Sequence, residues 1–266
     1  MFFKPKDLMT VGNISLGMGA VLVSMEGMAA PREDASTYVF WAGVCILAAF
    51  FFDMFDGRIA RWLGQMNRFG SEFDNIADLT SYSVAPSFIL YLAFRKVAVL
   101  PGAGETLRTA LAVVLALIPS VCGCIRFARF NVRRLDIPGY WIGFPRPAAA
   151  LMMVALVNSH LFQGSEVMGW VGAALVVFLG FMNLSLFPYI SHHDRRWSWH
   201  LKIILNMVWI SVVVAFAGGV LLDAMPARTV FDVVLLWLSF YLFVQWTDIP
   251  QATREDIARL TADWND

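Results

Sequence analysis

Charge is scarce along this chain: Asp, Glu, Lys and Arg make up 15% of its 266 residues, against 59% that are hydrophobic. A soluble domain carries roughly a quarter charged residues, so the balance marks an integral membrane protein. The 20 cations and 20 acids cancel to zero net charge, and no cationic tail stands out, which argues against nucleic acid as a partner. Cysteine is rare as well. Cys45, Cys122 and Cys124 all lie in apolar runs, where they are expected to pack as small hydrophobes rather than to bind metal or form a disulfide framework. The opening MFFKPKDLMTVGN lacks a small-residue cleavage site after a short apolar core, so the first apolar run is expected to remain as a span. Internal repeats, low-complexity segments and a separate soluble domain are absent from the sequence.

What the chain has in quantity is apolar runs of membrane length. Eight candidate spans of roughly 20 residues cover 8–28, 38–62, 76–100, 107–130, 147–162, 167–189, 201–222 and 229–246. The expected fold is an all-α, polytopic membrane bundle formed by residues 1–247, followed by a short polar tail at 248–266 whose helix starts near Thr253. With the N-terminus inside, 15 of the 20 cations fall on inner segments; only Arg32, Arg95, Lys96, Arg108 and Arg228 fall outside. That asymmetry predicts eight spans and two cytoplasmic termini. Trp197 and Trp199 would anchor an inner loop, SHHDRRWSWHLK, whose histidines show no ligand spacing.

One stretch concentrates the acids. In DMFDGRIARWLGQMNRFGSEFDNIAD, residues 53–78, Asp53, Asp56, Gly57 and Ala60 share a helix face, and Asp74 and Asp78 share another. Two helices joined by 62–69 could therefore aim four carboxylates at one point. Four close carboxylates repel each other and call for cations. Oxygen donors without Cys or His suit a hard ion, magnesium or manganese rather than zinc. Gly57 and Ala60 would let a phosphorylated group approach the helix, and Arg61 adds a fixed positive charge. Magnesium held by few carboxylates completes its shell with substrate phosphates, so the constellation points to phosphate-ester chemistry near the inner interface, where aspartates in membrane helices are functional by default. A cation channel or carrier would need ionisable groups to continue across the bilayer, and the spans are apolar beyond this end.

The pattern D-x2-D-G-x2-A-R-x8-G-x3-D-x3-D, filled by Asp53, Asp56, Gly57, Ala60, Arg61, Gly70, Asp74 and Asp78, resembles the signature of the CDP-alcohol phosphatidyltransferases. The resemblance implies a membrane transferase that moves a phosphatidyl group from CDP-diacylglycerol to a small alcohol and releases CMP. It further implies two divalent ions (Mg2+ or Mn2+) on Asp53, Asp56, Asp74 and Asp78, contacts from Gly57, Ala60, Arg61 and Gly70 to the CDP portion, and Asp78 as general base. A multi-pass position in the cell membrane, a cytoplasm-facing site among membrane lipids and a homodimer belong to the same expectation.

Further runs resemble the phosphatidylserine synthase branch of that family: Met9–Asn13 at the first span, LTSYSVAPS after Asp78, and RFARFN followed by GFPRPAAA, with Phe144 where Leu is more usual. They make L-serine the expected acceptor. Arg126 and Arg129, on one helix face, and Asn131 near its end are candidates to bind it, since an amino-acid carboxylate needs a bidentate cation; inner-leaflet lipid heads compete for the same role. Glycerol phosphate, inositol phosphate and an archaeal-lipid equivalent stay open as acceptors, as does choline, for which Tyr140, Trp141, Trp197 and Trp199 could build an aromatic cage. In the first span Ser15 and Gly19, after Gly12, are expected to form a helix-packing face. Asn13 could reach the cluster, Pro86 should kink the third span, and the hydroxyls from Thr80 to Ser83 should bond to backbone or to neighbouring helices.

Overall fold

In the computed structural model, residues 7–62, 68–132, 139–190, 199–244, 255 and 259 are described, with 56–62, 164, 190, 199–206 and 244 described by their backbone only. Arg133, Arg134, the 192–197 part of the histidine loop and almost all of the polar tail lie outside them.

The elements run α1 (Asp7–Ala29), α2 (Ala35–Trp62), α3 (Arg68–Val97), α4 (Glu105–Val132), β1 (Tyr140–Ile142), α5 (Arg146–Asn158), α6 (His160–Gly164), α7 (Glu166–Leu184), β2 (Pro188–Ile190), α8 (Trp199–Phe216, continued by a turn at Ala217–Leu221) and α9 (Thr229–Val244). Five helical segments among the described residues are long and apolar enough to cross a membrane: Asp7–Ala29, Ala35–Phe55, Arg68–Val97, Glu105–Val132 and Glu166–Leu184. The apolar helices Arg146–Asn158, Met207–Leu221 and Thr229–Phe243 are shorter. The molecule is an all-α, polytopic membrane protein in architecture.

Helix α5 sits at the centre, packed against α2, α3, α7 and α9, and every residue from Ala149 to Asn158 is buried. Its 13 residues span about 20 Å at 1.5 Å per residue. The expected span 147–162 breaks early because Ser159 turns to an extended conformation and its side chain accepts from the Phe162 N–H to start α6.

In membranes, close packing of small residues and interhelical polar contacts replace the hydrophobic drive between helices. On α1 the buried face is Thr10, Asn13, Gly17, Ser24 and Gly27; Ser15 is exposed, so the packing face is turned from the one expected. A side chain at Gly17 would collide with Ser81 of α3, and one at Gly27 with Leu92 and Tyr38. Helix α3 contains two π-helical turns, Thr80–Val84 and Ala93–Val97. The first has a cause: Pro86 has no N–H to offer the Tyr82 carbonyl, and the widened turn instead sends the Ala85 N–H back to Thr80 O.

Two short strands interrupt the helical pattern, β1 pairing antiparallel with β2 as Tyr140 with Ile190, Trp141 with Tyr189 and Ile142 with Pro188. Gly143 follows at φ +74°, a conformation only glycine adopts freely, and Phe144 then packs, fully buried, against Tyr189 and Tyr241. This ribbon delivers the chain to Arg146 at the start of α5.

One end of the bundle is tied by cations. Lys96 donates to Met28 O and Ala30 O at 2.6 Å and to Gly27 O at 3.2 Å, a positive charge where the dipole of α1 is negative. Arg32 binds Lys96 O, Arg108 binds Ala98 O, and Arg95 pairs with Glu105. Arg228 joins three helices, through Ser36 O and Oγ at 2.7 and 2.6 Å and Asn158 O and Oδ1 at 3.3 and 3.2 Å.

Candidate active site

The up-and-down path places the start of α1, the end of α2, the start of α3, the end of α4, the start of α5 and the end of α7 together, opposite the cation-tied end. Asp53 comes from α2; Asp74 and Asp78 come from α3, one turn apart. Their carboxylate oxygens lie within 4.8 Å of one another, and all three residues are half-buried. Asp56, Gly57, Ala60 and Arg61 continue α2 beyond Asp53, but their side chains lie outside the described residues. Gly70 is buried in the first turn of α3.

Asp78 is held from two sides. Asn13 Nδ2 donates to its Oδ1 at 3.4 Å, and Arg146 Nη2 faces its Oδ2 at 3.7 Å, with both charged side chains mostly covered. Asn13 does double duty, since its main-chain carbonyl accepts from Ser81 Oγ at 3.0 Å. Arg146 also lies over the Phe127 ring, 5.4 Å from its centroid. Tyr82, 2% exposed, sits close to Asp53, Asp78 and Asp74. The hydroxyls that follow Asp78 divide: Thr80 bonds its own helix at Ile76 O and Ser81 bonds α1, but Ser83 Oγ has no partner among the described residues.

The arginines proposed from sequence as acceptor ligands hold main-chain carbonyls in the structure. Arg126 donates to Asn183 O at 2.7 Å and Gly143 O at 3.2 Å, Arg129 donates to Leu184 O at 2.8 Å, and Asn131 is exposed. Arg126 thus clamps the turn that precedes Arg146 to the end of α7, which explains why the RFARFN and GFPRPAAA runs go together. Among the described residues the cation beside Asp78 is Arg146, to which sequence reasoning gave no role. A signal existed: it is the only Asp, Glu, Lys or Arg between Asp136 and Glu166, at the first turn of an apolar run. Tyr140 and Trp141 are successive strand residues and point to opposite faces, so they do not wall one aromatic cage together.

The described carboxylates offer a hard cation oxygen donors only, and they stand beside an arginine: chemistry for a phosphorylated substrate at a membrane surface. Comparison with known proteins agrees. A CDP-diacylglycerol–serine O-phosphatidyltransferase of Methanocaldococcus jannaschii is 28% identical over 215 residues, which cover 80% of this chain and 83% of the relative. Proteins of the same name from Helicobacter pylori and Mycobacterium leprae are 32% identical over 215 residues (78% and 80% covered) and 27% identical over 243 residues (88% and 72% covered). The model of the CDP-alcohol phosphatidyltransferase family matches residues 6–181, a range that contains the whole carboxylate cluster and Arg146. The chain belongs to the CDP-alcohol phosphatidyltransferase family.

Proposed function

We propose that the protein transfers the phosphatidyl group of CDP-diacylglycerol to the hydroxyl of L-serine, forming phosphatidylserine and CMP, at the cytoplasmic face of the cell membrane. The observation that carries this reading is the convergence of Asp53, Asp74 and Asp78 beside Arg146; the names of the relatives support serine as acceptor.

Asp53, Asp74 and Asp78, with Asp56 three residues along α2, would hold two Mg2+ or Mn2+ ions, for which an all-oxygen donor set is suited. Bound there, such ions supply positive charge against the diphosphate and the departing CMP. The residues do the rest. Gly57 and Ala60 leave room for the CDP portion along α2, and Arg61 and Gly70 complete its contacts. Asp78, held by Asn13 and Arg146, takes the proton of the acceptor hydroxyl as that oxygen attacks the lipid-linked phosphorus and the bond to CMP breaks. In-line attack needs positioning and charge neutralisation more than a covalent protein nucleophile. Arg126 braces the turn that carries the chain to Arg146, and Arg129 holds the end of α7. A homodimer belongs to the same reading.

The test is CMP release by purified protein in detergent with CDP-diacylglycerol and Mg2+ or Mn2+, comparing L-serine, glycerol phosphate, inositol phosphate and choline. Release that depends on L-serine is expected; release only with another acceptor would overturn the serine assignment and leave the family intact.

A further inference from the structure

Tyr82 stands on the face of α3 that carries two of the carboxylates proposed to hold the metal. Asp74, Asp78 and Tyr82 follow one another four residues apart, and a regular helix would swing each about 40° from the one before. The π-helical turn Thr80–Val84 contains Tyr82 and turns less per residue, which brings the phenol back towards the line of the two aspartates. The side chain lies beside Asp53 of α2 first, then Asp78 and Asp74. It is 2% exposed, and its hydroxyl is buried with no hydrogen-bond partner among the described residues. A buried polar atom left unpaired costs about 1–3 kcal/mol, so an unpaired O–H next to a cluster of acids calls for a use.

Its chemistry narrows that use. An ionised carboxylate only accepts, so towards these neighbours the phenol can only donate. Asp78 is already supplied, with Asn13 Nδ2 on its Oδ1 and Arg146 Nη2 facing its Oδ2. Asp53 reaches the cluster from a different helix, and carboxylates that ligate a metal are themselves oriented by hydrogen bonds from behind. We infer that Tyr82 is the positioning residue for Asp53: its hydroxyl donates to the Asp53 carboxylate and sets the face that this carboxylate turns to the cation. The three carboxylates lie within 4.8 Å of one another and fit a hard ion; Tyr82, closed off from outside, touches neither ion nor substrate and acts through Asp53. The inference rests on the proposed metal site and adds the residue that keys α2 to α3 within it.

Tyr82→Phe removes the hydroxyl and keeps the ring. Mn2+ binding to the purified protein in detergent, without substrate, is followed by the loss of the free-ion electron paramagnetic resonance signal. The wild type and Tyr82→Phe are compared, with Asp74→Asn to show which Mn2+ belongs to the cluster, and the thermal midpoint is read with and without the metal. Tyr82→Phe should weaken Mn2+ binding about tenfold or more, the usual effect of removing a donor behind a metal ligand. Its metal-free midpoint should stay level or rise, because an unpaired buried hydroxyl has gone, and the rise in midpoint produced by a fixed Mn2+ concentration should shrink. A hydroxyl that served packing alone would do the reverse. Mn2+ affinity within about twofold of the wild type's, or a lower metal-free midpoint, would overturn the inference and leave the carboxylate site standing. If the wild type binds no Mn2+ that Asp74→Asn abolishes, the metal part of the proposed function falls and takes this inference with it.

Discussion

In the proposed reaction Asp78 is the base, and its carboxylate sits between two donors, Asn13 and Arg146. Replacing it by Asn keeps size and polarity but removes the base. Asp78→Asn should retain CDP-diacylglycerol binding and lose turnover by about 10²–10⁴-fold; near-normal CMP release from that variant would remove Asp78 from the role. Asn13→Ala deletes only the 3.4 Å hydrogen bond to Asp78, and kcat should fall about tenfold with little change in either KM, measured by the same assay. The aspartates were legible in sequence because helix geometry alone aligns residues three and four apart. Arg146 was not, because it reaches Asp78 from a distant part of the chain, and the sequence offered Arg126 and Arg129 as more conspicuous cations. Their guanidinium groups bind main-chain carbonyls, a demand created by the ribbon and invisible before it.

At the scale of single elements, apolar run length anticipated each long helix, yet it could not show which face of a helix is turned inward. On α1 the decisive face holds Asn13 and Gly17, because Ser81 of α3 lies against it. Gly17→Ala should therefore lower stability by about 1–3 kcal/mol, seen as a lower unfolding midpoint in detergent, since its new methyl meets the Ser81 main chain as well as the hydroxyl. An unchanged midpoint would mean that α1 and α3 have room to part. The β-ribbon escaped notice for a different reason: three-residue strands are too short for an alternating pattern to be read. The π-turn at Thr80–Val84 was foreshadowed by Pro86 as a kink, but the repair takes the form of a widened turn that keeps α3 continuous through the site.

Across the whole molecule, the carboxylate cluster and the fastening cations are separated by the length of the bundle. Arg228 belongs to the fastened end. Arg228→Ala would strand Asn158 Oδ1, and a loss of about 1–3 kcal/mol should appear as a lower thermal midpoint with both substrate KM values unchanged. A shift in either KM would show that the two ends are coupled. The positive-inside bias predicts which end is cytoplasmic. In inverted membrane vesicles, a thiol reagent that cannot cross the bilayer should label Ser71→Cys, introduced in a background freed of Cys45, Cys122 and Cys124, and should spare Gly102→Cys; the reverse pattern would turn the protein over.

The short central helix has a consequence for the lipid around it. Helix α5 is fastened at its Asn158 end by Arg228, and its 13 residues reach only about 20 Å into a hydrocarbon layer about 30 Å thick. If Asn158 lies at the far boundary of that layer, Arg146 and Asp78 lie below the level of the phospholipid headgroups, and a nucleotide-bearing lipid must sink, or the leaflet must dimple, to meet them. Bilayer deformation has an elastic cost that grows with the mismatch. In vesicles of defined acyl length, turnover should decline as the chains lengthen, so that the thickness of the membrane itself becomes a governor of how fast the protein works.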